Sequence, residues 1–138
     1  MSRALEDFAA ELIDAWNSHD VGRIVACYAP DYCGIDVGES APESGGQGVL
    51  DIARRRFMAF PDLRFTIEEV VVQDDRLAVA WTATGTHQGP LMRIPPTGRA
   101  VQVRGISLMT VRDGKVVRGF RMWDVAGMLR ALRLLPEL

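Results

Sequence analysis

Two cysteines, two histidines and one lysine among 138 residues withhold several chemistries at once. Cys27 and Cys33 have no second pair beside them, so the spacing implies neither a zinc site nor a disulfide framework, and a reduced, cytoplasmic setting is the default expectation. Long apolar runs are missing. The N-terminal "MSRALEDFAAELIDAW" breaks its apolar pattern with acids, which fits neither a signal peptide nor a membrane span. An excess of one charge is missing too: net charge is −2 and the pI about 5.7, so no general affinity for nucleic acid or a membrane surface is expected. Lysine scarcity itself, with Lys115 the one lysine among sixteen basic residues, reflects the coding bias of a GC-rich genome rather than a physical need.

What is present is ordinary for a folded domain: 48% hydrophobic and 25% charged residues. The length fits one domain over 1–138 and buries about two thirds of the unfolded surface, enough for a core with a cavity inside it. No room remains for a second domain to carry a cofactor, so any chemistry is expected to rest on positioned side chains, with no metal.

Leu5, Phe8, Ala9, Leu12, Ile13 and Trp16 fall at helical spacing and predict an amphipathic first helix. "NSHD" ends it, and Asp20 is placed to cap a short second helix through Ile24 to Tyr28. Residues 34–48, rich in Gly, Ser, Pro and acids, read as a loop able to act as a lid. Val49 to Phe60 is helical again and Pro61 stops it, with Arg54, Arg55 and Arg56 assigned to a solvated face. Extended runs follow over 63–72, 76–87, 100–112 and 115–124, joined by the hairpin signals "QDDR" and "RDGK", and a short apolar helix over 125–135 closes the chain. Helices first and antiparallel strands afterwards argue for an α+β domain in which a curved sheet wraps its helices.

The segments "AWNSHDVGRIVACYAPDY", "FPDLRFTIEEVVVQDDRLAVAWTATGTHQGP", "PPTGRAVQVRGISLMTVRDGKVV" and "WDVAGML" resemble, in order and over nearly the whole chain, the SnoaL-like polyketide cyclase family. The resemblance implies a cone-shaped α+β barrel, shared with nuclear transport factor 2 and ketosteroid isomerase, whose N-terminal helices pack in the concave face of a strongly curved, mostly antiparallel sheet. It also implies closure of a ring on a hydrophobic polyketide substrate by intramolecular aldol condensation, without cofactor or metal, in a homodimer or homotetramer. The family's acidic residue near the end of the last strand maps onto Asp124. Arg118 stands where the family commonly has glutamate, Phe120 stands for its tryptophan, the strand 100–112 has no histidine, and "RLLPEL" replaces the usual C-terminal "QLG".

Strand alternation puts Leu77, Val79, Trp81, Ala83, Gly85 and His87 on one face, the expected cavity wall, and without a bulge puts Val116, Arg118, Phe120, Met122 and Asp124 together. A carboxylate lined by Trp16, Tyr28, Tyr32, Phe57, Trp81 and Phe120 loses hydration, its pKa rises, and it becomes a proton shuttle near neutral pH. Asp124 is the candidate, with His87, Tyr32, Arg104 and Arg118 as donors to an enolate oxygen. Each has a plainer reading. Asp124 before "VAGML" equally suits a helix N-cap, His87 a tie to hairpin backbone, the aromatics ordinary core, and Arg104 and Arg118 ion pairs. Epoxide opening, for which Arg118, Asp124 and Asp36 are candidates, hydroxylation, isomerisation and non-catalytic ligand binding stay open beside cyclisation.

Overall fold

A computed structural model describes residues 2–137. Ten elements follow one another: α1 (Ser2–Ser18), α2 (Val21–Val25), β1 (Tyr28–Asp36), β2 (Glu43–Ser44), α3 (Gly45–Ala59), β3 (Arg64–Gln73), β4 (Arg76–Thr86), β5 (Ala100–Arg112), β6 (Lys115–Trp123) and α4 (Val125–Ala131). The strands form one curved, unclosed sheet in the order β2-β1-β6-β5-β4-β3, antiparallel throughout except for the parallel pair β1 and β6. The apolar stripe of α1 (Phe8, Ala9, Leu12, Trp16) and the buried face of α3 (Val49, Ile52, Ala53) pack into one core with the inward residues of β4 and β5.

Local chemistry explains most element ends. Asp20 caps α2 by accepting the Arg23 N–H at 3.2 Å. The "RDGK" hairpin has Asp113 and Gly114 at φ of 51° and 72°, the left-handed pair that a two-residue turn between twisted strands requires. In the last turn of α1, the Asn17 side chain serves the outer edge of β3: its Nδ2 donates to the Phe65 carbonyl at 2.9 Å and its Oδ1 accepts the Phe65 N–H at 2.7 Å. Because β3 is an edge strand, that pairing both satisfies exposed backbone and docks the helix.

Three expectations from the sequence are corrected. The segment 34–48 is not one loop: β1 runs on to Asp36, β2 occupies 43–44, and α3 starts at Gly45, four residues before the apolar periodicity begins. α2 stops at Val25, and Tyr28 already opens β1. α4 ends at Ala131 rather than 135. β1 was hidden because Pro30, Asp31 and Gly34 are poor strand formers, yet its pairing with β6 tolerates them: the register slips between Tyr28 and Cys33, where Pro30 has no N–H to give.

Replacing Asn17 with alanine is expected to lower unfolding free energy by about 1–3 kcal/mol, with the denaturant slope unchanged, in urea titrations. An unchanged midpoint disproves the docking role.

Candidate functional site

Inside the cone lies a cavity of about 120 Å³ bounded by α1, α3, α4 and the concave face of the sheet. One side is aromatic. Trp16 meets Phe65 edge-on at 5.9 Å, Phe65 meets Trp81 at 5.4 Å, and Tyr28 meets Tyr32 at 4.9 Å, arrangements that aromatic quadrupoles favour. Gly105 opposes Trp81 on β5, and a side chain there would collide with the indole, so this glycine is what lets the ring lie against the sheet. Of the wall expected on β4, Val79, Trp81 and Ala83 are buried and line the cavity, whereas Leu77, Gly85 and His87 do not line it.

The opposite end is polar, with its two acids buried and its arginines half-buried. Asp36, only 1% exposed, accepts from four donors: Gly38 N and Trp123 Nε1 at 2.8 Å on one oxygen, Arg121 Nε at 2.7 Å and Arg56 Nη2 at 3.5 Å on the other. Arg121 bridges from Asp36 to Glu43, and Glu43 in turn accepts the Tyr32 hydroxyl at 3.3 Å. Arg56 pairs with Glu39 at 3.2 Å and lies over the Trp123 ring at 5.0 Å from its centroid. Asp36, Arg56, Arg121 and Trp123 all line the cavity.

Electrostatics follow from this packing. Burial pushes the Asp36 carboxyl up, but the Arg121 cation and the hydrogen bonds from Arg121, Trp123 and Gly38 outweigh it and hold the group below its ordinary value. Burial also opposes the Arg121 cation, yet Glu43 and Asp36 more than compensate and raise its pKa. Burial lowers Arg56, against the pull of Glu39 and Asp36. The Tyr28 phenol is pushed up to about 12 by burial, and Tyr32 is raised by burial and by the charge of its neighbours, so both are proton donors near neutrality. Tyr28 accepts the Trp16 indole N–H at 3.1 Å, which leaves its own hydroxyl proton for a further acceptor.

The residues singled out from sequence divide in two. Trp16, Tyr28, Tyr32 and Trp81 line the cavity. Phe57 sits behind it, stacked on His19 at 4.0 Å and edge-on to Trp16. On β6 one extra residue breaks the alternation: Val111 pairs with Val116 but Thr110 pairs with Arg118, leaving Val117 as a bulge. Val116 therefore faces the core, whereas Arg118, Phe120 and Met122 turn outward, and Gly119, Arg121 and Trp123 turn in. Phe120 reaches the cavity wall, but its side chain is 39% exposed. Arg104 lies on the convex face in a shallow groove with Asp124. Asp124 is exposed and caps α4, accepting the Gly127 N–H at 2.8 Å, and it does not line the cavity. His87 is fully buried outside the cavity: the Thr97 N–H donates to Nδ1 at 3.2 Å, which places the ring proton on Nε2, without a partner.

Sequence pattern does not point to Glu43, Arg121 or Trp123, offers Asp36 for epoxide opening alone, and places Arg56 on a solvated face that it shares with Arg54 and Arg55 only in sequence. The available signal was an arginine inside an otherwise apolar strand, "GFRMW", which needs a buried acid to face it.

Asp36→Asn leaves Arg121 without half of its compensation and is expected to destabilise the fold by about 3–5 kcal/mol in urea titrations. A carboxyl whose pKa is lower folded than unfolded binds fewer protons in the native state. Wild-type stability is therefore expected to be full above about pH 4 and to drain away as pH falls toward the depressed value, a component that Asp36→Asn lacks. Parallel pH–stability curves for the two proteins refute that coupling.

Comparison with known proteins supplies the remaining context. No curated protein matches. AclR, a candidate hydroxylase from Streptomyces galilaeus, is 28% identical, with a TM-score of 0.86 over 100% of this chain and 85% of that one. TsrD from Streptomyces laurentii is 26% identical with a TM-score of 0.87 over 98% of both chains. IdmH, a candidate polyketide cyclase from Streptomyces antibioticus, is 29% identical with a TM-score of 0.81 over 93% of this chain and 97% of that one. The profile of SnoaL-like polyketide cyclases matches residues 6–132, and the chain belongs to that family.

Proposed function

We propose that this protein is a cofactor-independent, cytoplasmic cyclase that closes a ring on a bulky, oxygenated, polyketide-type substrate by intramolecular aldol condensation. The observation that carries the proposal is the apolar, aromatic-walled cavity with a buried carboxylate and guanidinium at one end. A substrate carbonyl accepts from Arg121 and from the free hydroxyl proton of Tyr28, which draws charge onto its oxygen. The neighbouring carbon then gives up a proton. Asp36 takes it: the carboxylate is ionised at neutral pH, and its weakness as a base is matched by the acidity of a methylene flanked by two carbonyls. The resulting enolate carbon attacks a second carbonyl, a C–C bond forms, and the alkoxide recovers the proton. Holding the two carbons in contact contributes roughly 7–11 kcal/mol of the barrier reduction.

In this reading Asp36 takes the role that the sequence alone gave to Asp124, whose exposed carboxylate does not line the cavity. Arg121→Gln is expected to lower kcat on an aromatic polyketide ester by about 10²–10³. Asp124→Asn is expected to turn over near the wild-type rate while losing about 0.5–2 kcal/mol of stability through the weakened cap. The reverse pattern returns the chemistry to Asp124. Similarity to AclR favours a second reading, hydroxylation with molecular oxygen as the oxidant, and oxygen-18 from O2 appearing in the product selects it over aldol closure, whereas oxygen-18 from water selects epoxide opening.

We also infer a homodimer through the convex face. Val71, Ala78, Leu108, Phe120 and Ile35 are cross-strand partners in one apolar row over five strands, and Ile106 pairs with Met122 beside it. Exposures of 37–57% for Leu108, Phe120, Ile35 and Val71 make this a contiguous apolar strip, the kind of patch that marks an interface. Phe120→Asp is expected to sediment as a monomer at concentrations where the wild type sediments as a dimer. Identical sedimentation removes the convex face from the assembly.

A further inference from the structure

We propose that Leu91 sets the length of molecule the cavity admits, because the β4–β5 loop drives it into the cavity from a turn held in a disfavoured backbone conformation. The proposal rests on the cyclase reading for the kind of ligand and on nothing else in it.

The loop between Thr86 and Ala100 rides over the end of the cone. Its feet are fixed. His87 exchanges backbone bonds with Gly98 and Arg99, its ring holds Thr97, and the Gln88 and Gly89 amides donate to the Ala59 carbonyl at 2.9 and 3.2 Å. Gly89 lies so close to the Met58 carbonyl that a Cβ there would collide with the oxygen. Beyond these feet the loop is solvated, with Met92, Arg93, Pro95 and Pro96 all exposed, whereas Leu91 is buried and lines the cavity.

Leu91 is delivered by a tight turn. Leu91 and Ile94 bond to each other through both backbone pairs, at 3.1 and 2.6 Å, and the two residues between them, Met92 and Arg93, have φ of 51° and 65°. That turn suits Asn-Gly; side chains with a full Cβ resist the left-handed conformation. The turn is thus kept in place by what Leu91 gains inside the cavity, and withdrawing Leu91 releases the backbone. Size gives this a purpose. A cavity of about 150 Å³ takes up one benzene ring, so at about 120 Å³ this partly open cavity has space for a single ring at most while Leu91 is in place. A one-ring ligand fits beneath Leu91, and a fused polycycle requires Leu91 to leave.

The test uses two probes, resacetophenone with one ring and alizarin with three, titrated against the fluorescence of the cavity tryptophans Trp16, Trp81 and Trp123. Leu91→Ala is expected to bind alizarin about tenfold more tightly than the wild type and resacetophenone within about threefold. The double variant Met92→Asn, Arg93→Gly relaxes the closed turn and is expected to act oppositely, weakening alizarin by about threefold and leaving resacetophenone unchanged. Because it stabilises the fold, this variant remains decisive even if Leu91→Ala does not fold. Equal shifts for both probes, or no shift for alizarin in either variant, overturn the role of Leu91 and leave the cyclase reading standing. Absence of binding by both probes to every protein overturns the ligand cavity itself and the Leu91 proposal with it. Wild-type turnover of a polyketide ester tests the cyclase reading separately.

Discussion

A charge left unpaired inside an apolar cavity costs several kcal/mol, and the arrangement of Asp36, Arg121 and Glu43 answers that constraint. Three strands depend on it. Asp36 ends β1, Glu43 opens β2, and Arg121 comes from β6, so the ion cluster ties the short edge of the sheet to its centre where backbone pairing is sparse. Arg56 extends the tie to α3 and covers Trp123, and Tyr32 closes it from the cavity side. The same groups that stabilise this edge are the polar atoms a ligand meets. A substitution that alters reactivity here therefore alters stability too, and kinetic effects at these positions are meaningful only beside an unfolding measurement.

How much of this was legible depended on whether local pattern and tertiary pairing agreed. β4, β5 and the "RDGK" hairpin were readable because alternation and turn chemistry pointed the same way. β1 was not, since Pro30 and Gly34 argue against a strand and only the pairing with β6 overrides them. Tyr32 supplies part of the reason for Gly34: its hydroxyl fills the space that any Cβ at Gly34 or Gly119 would need.

The bulge at Val117 had the largest effect on the site. One residue inserted in β6 exchanges the inward set of the strand, so that a face expected to carry Arg118 and Asp124 into the cavity carries Arg121 and Trp123 instead. No feature of "GKVVRGFRMW" announces the bulge. The motif that identifies the family and the residues that line the cavity thus lie on the same strand but opposite faces, which is why family resemblance located the strand and not the side chains.

The parallel pairing of β1 with β6 also fixes an order of assembly. β3, β4 and β5 are successive neighbours and can pair as soon as they leave the ribosome, whereas Asp36 waits for Arg121 near the end of the chain. Until then β1 has only the two-residue β2 as a strand partner, and Tyr28, Tyr32 and Ile35 belong to an open apolar ribbon. Such non-local pairing slows folding and lengthens exposure to aggregation. Truncation at the start of β6 consequently removes the partner of β1 together with the cation that neutralises Asp36, so nascent chains halted there hold a formed hairpin sheet and a detached N-terminal half.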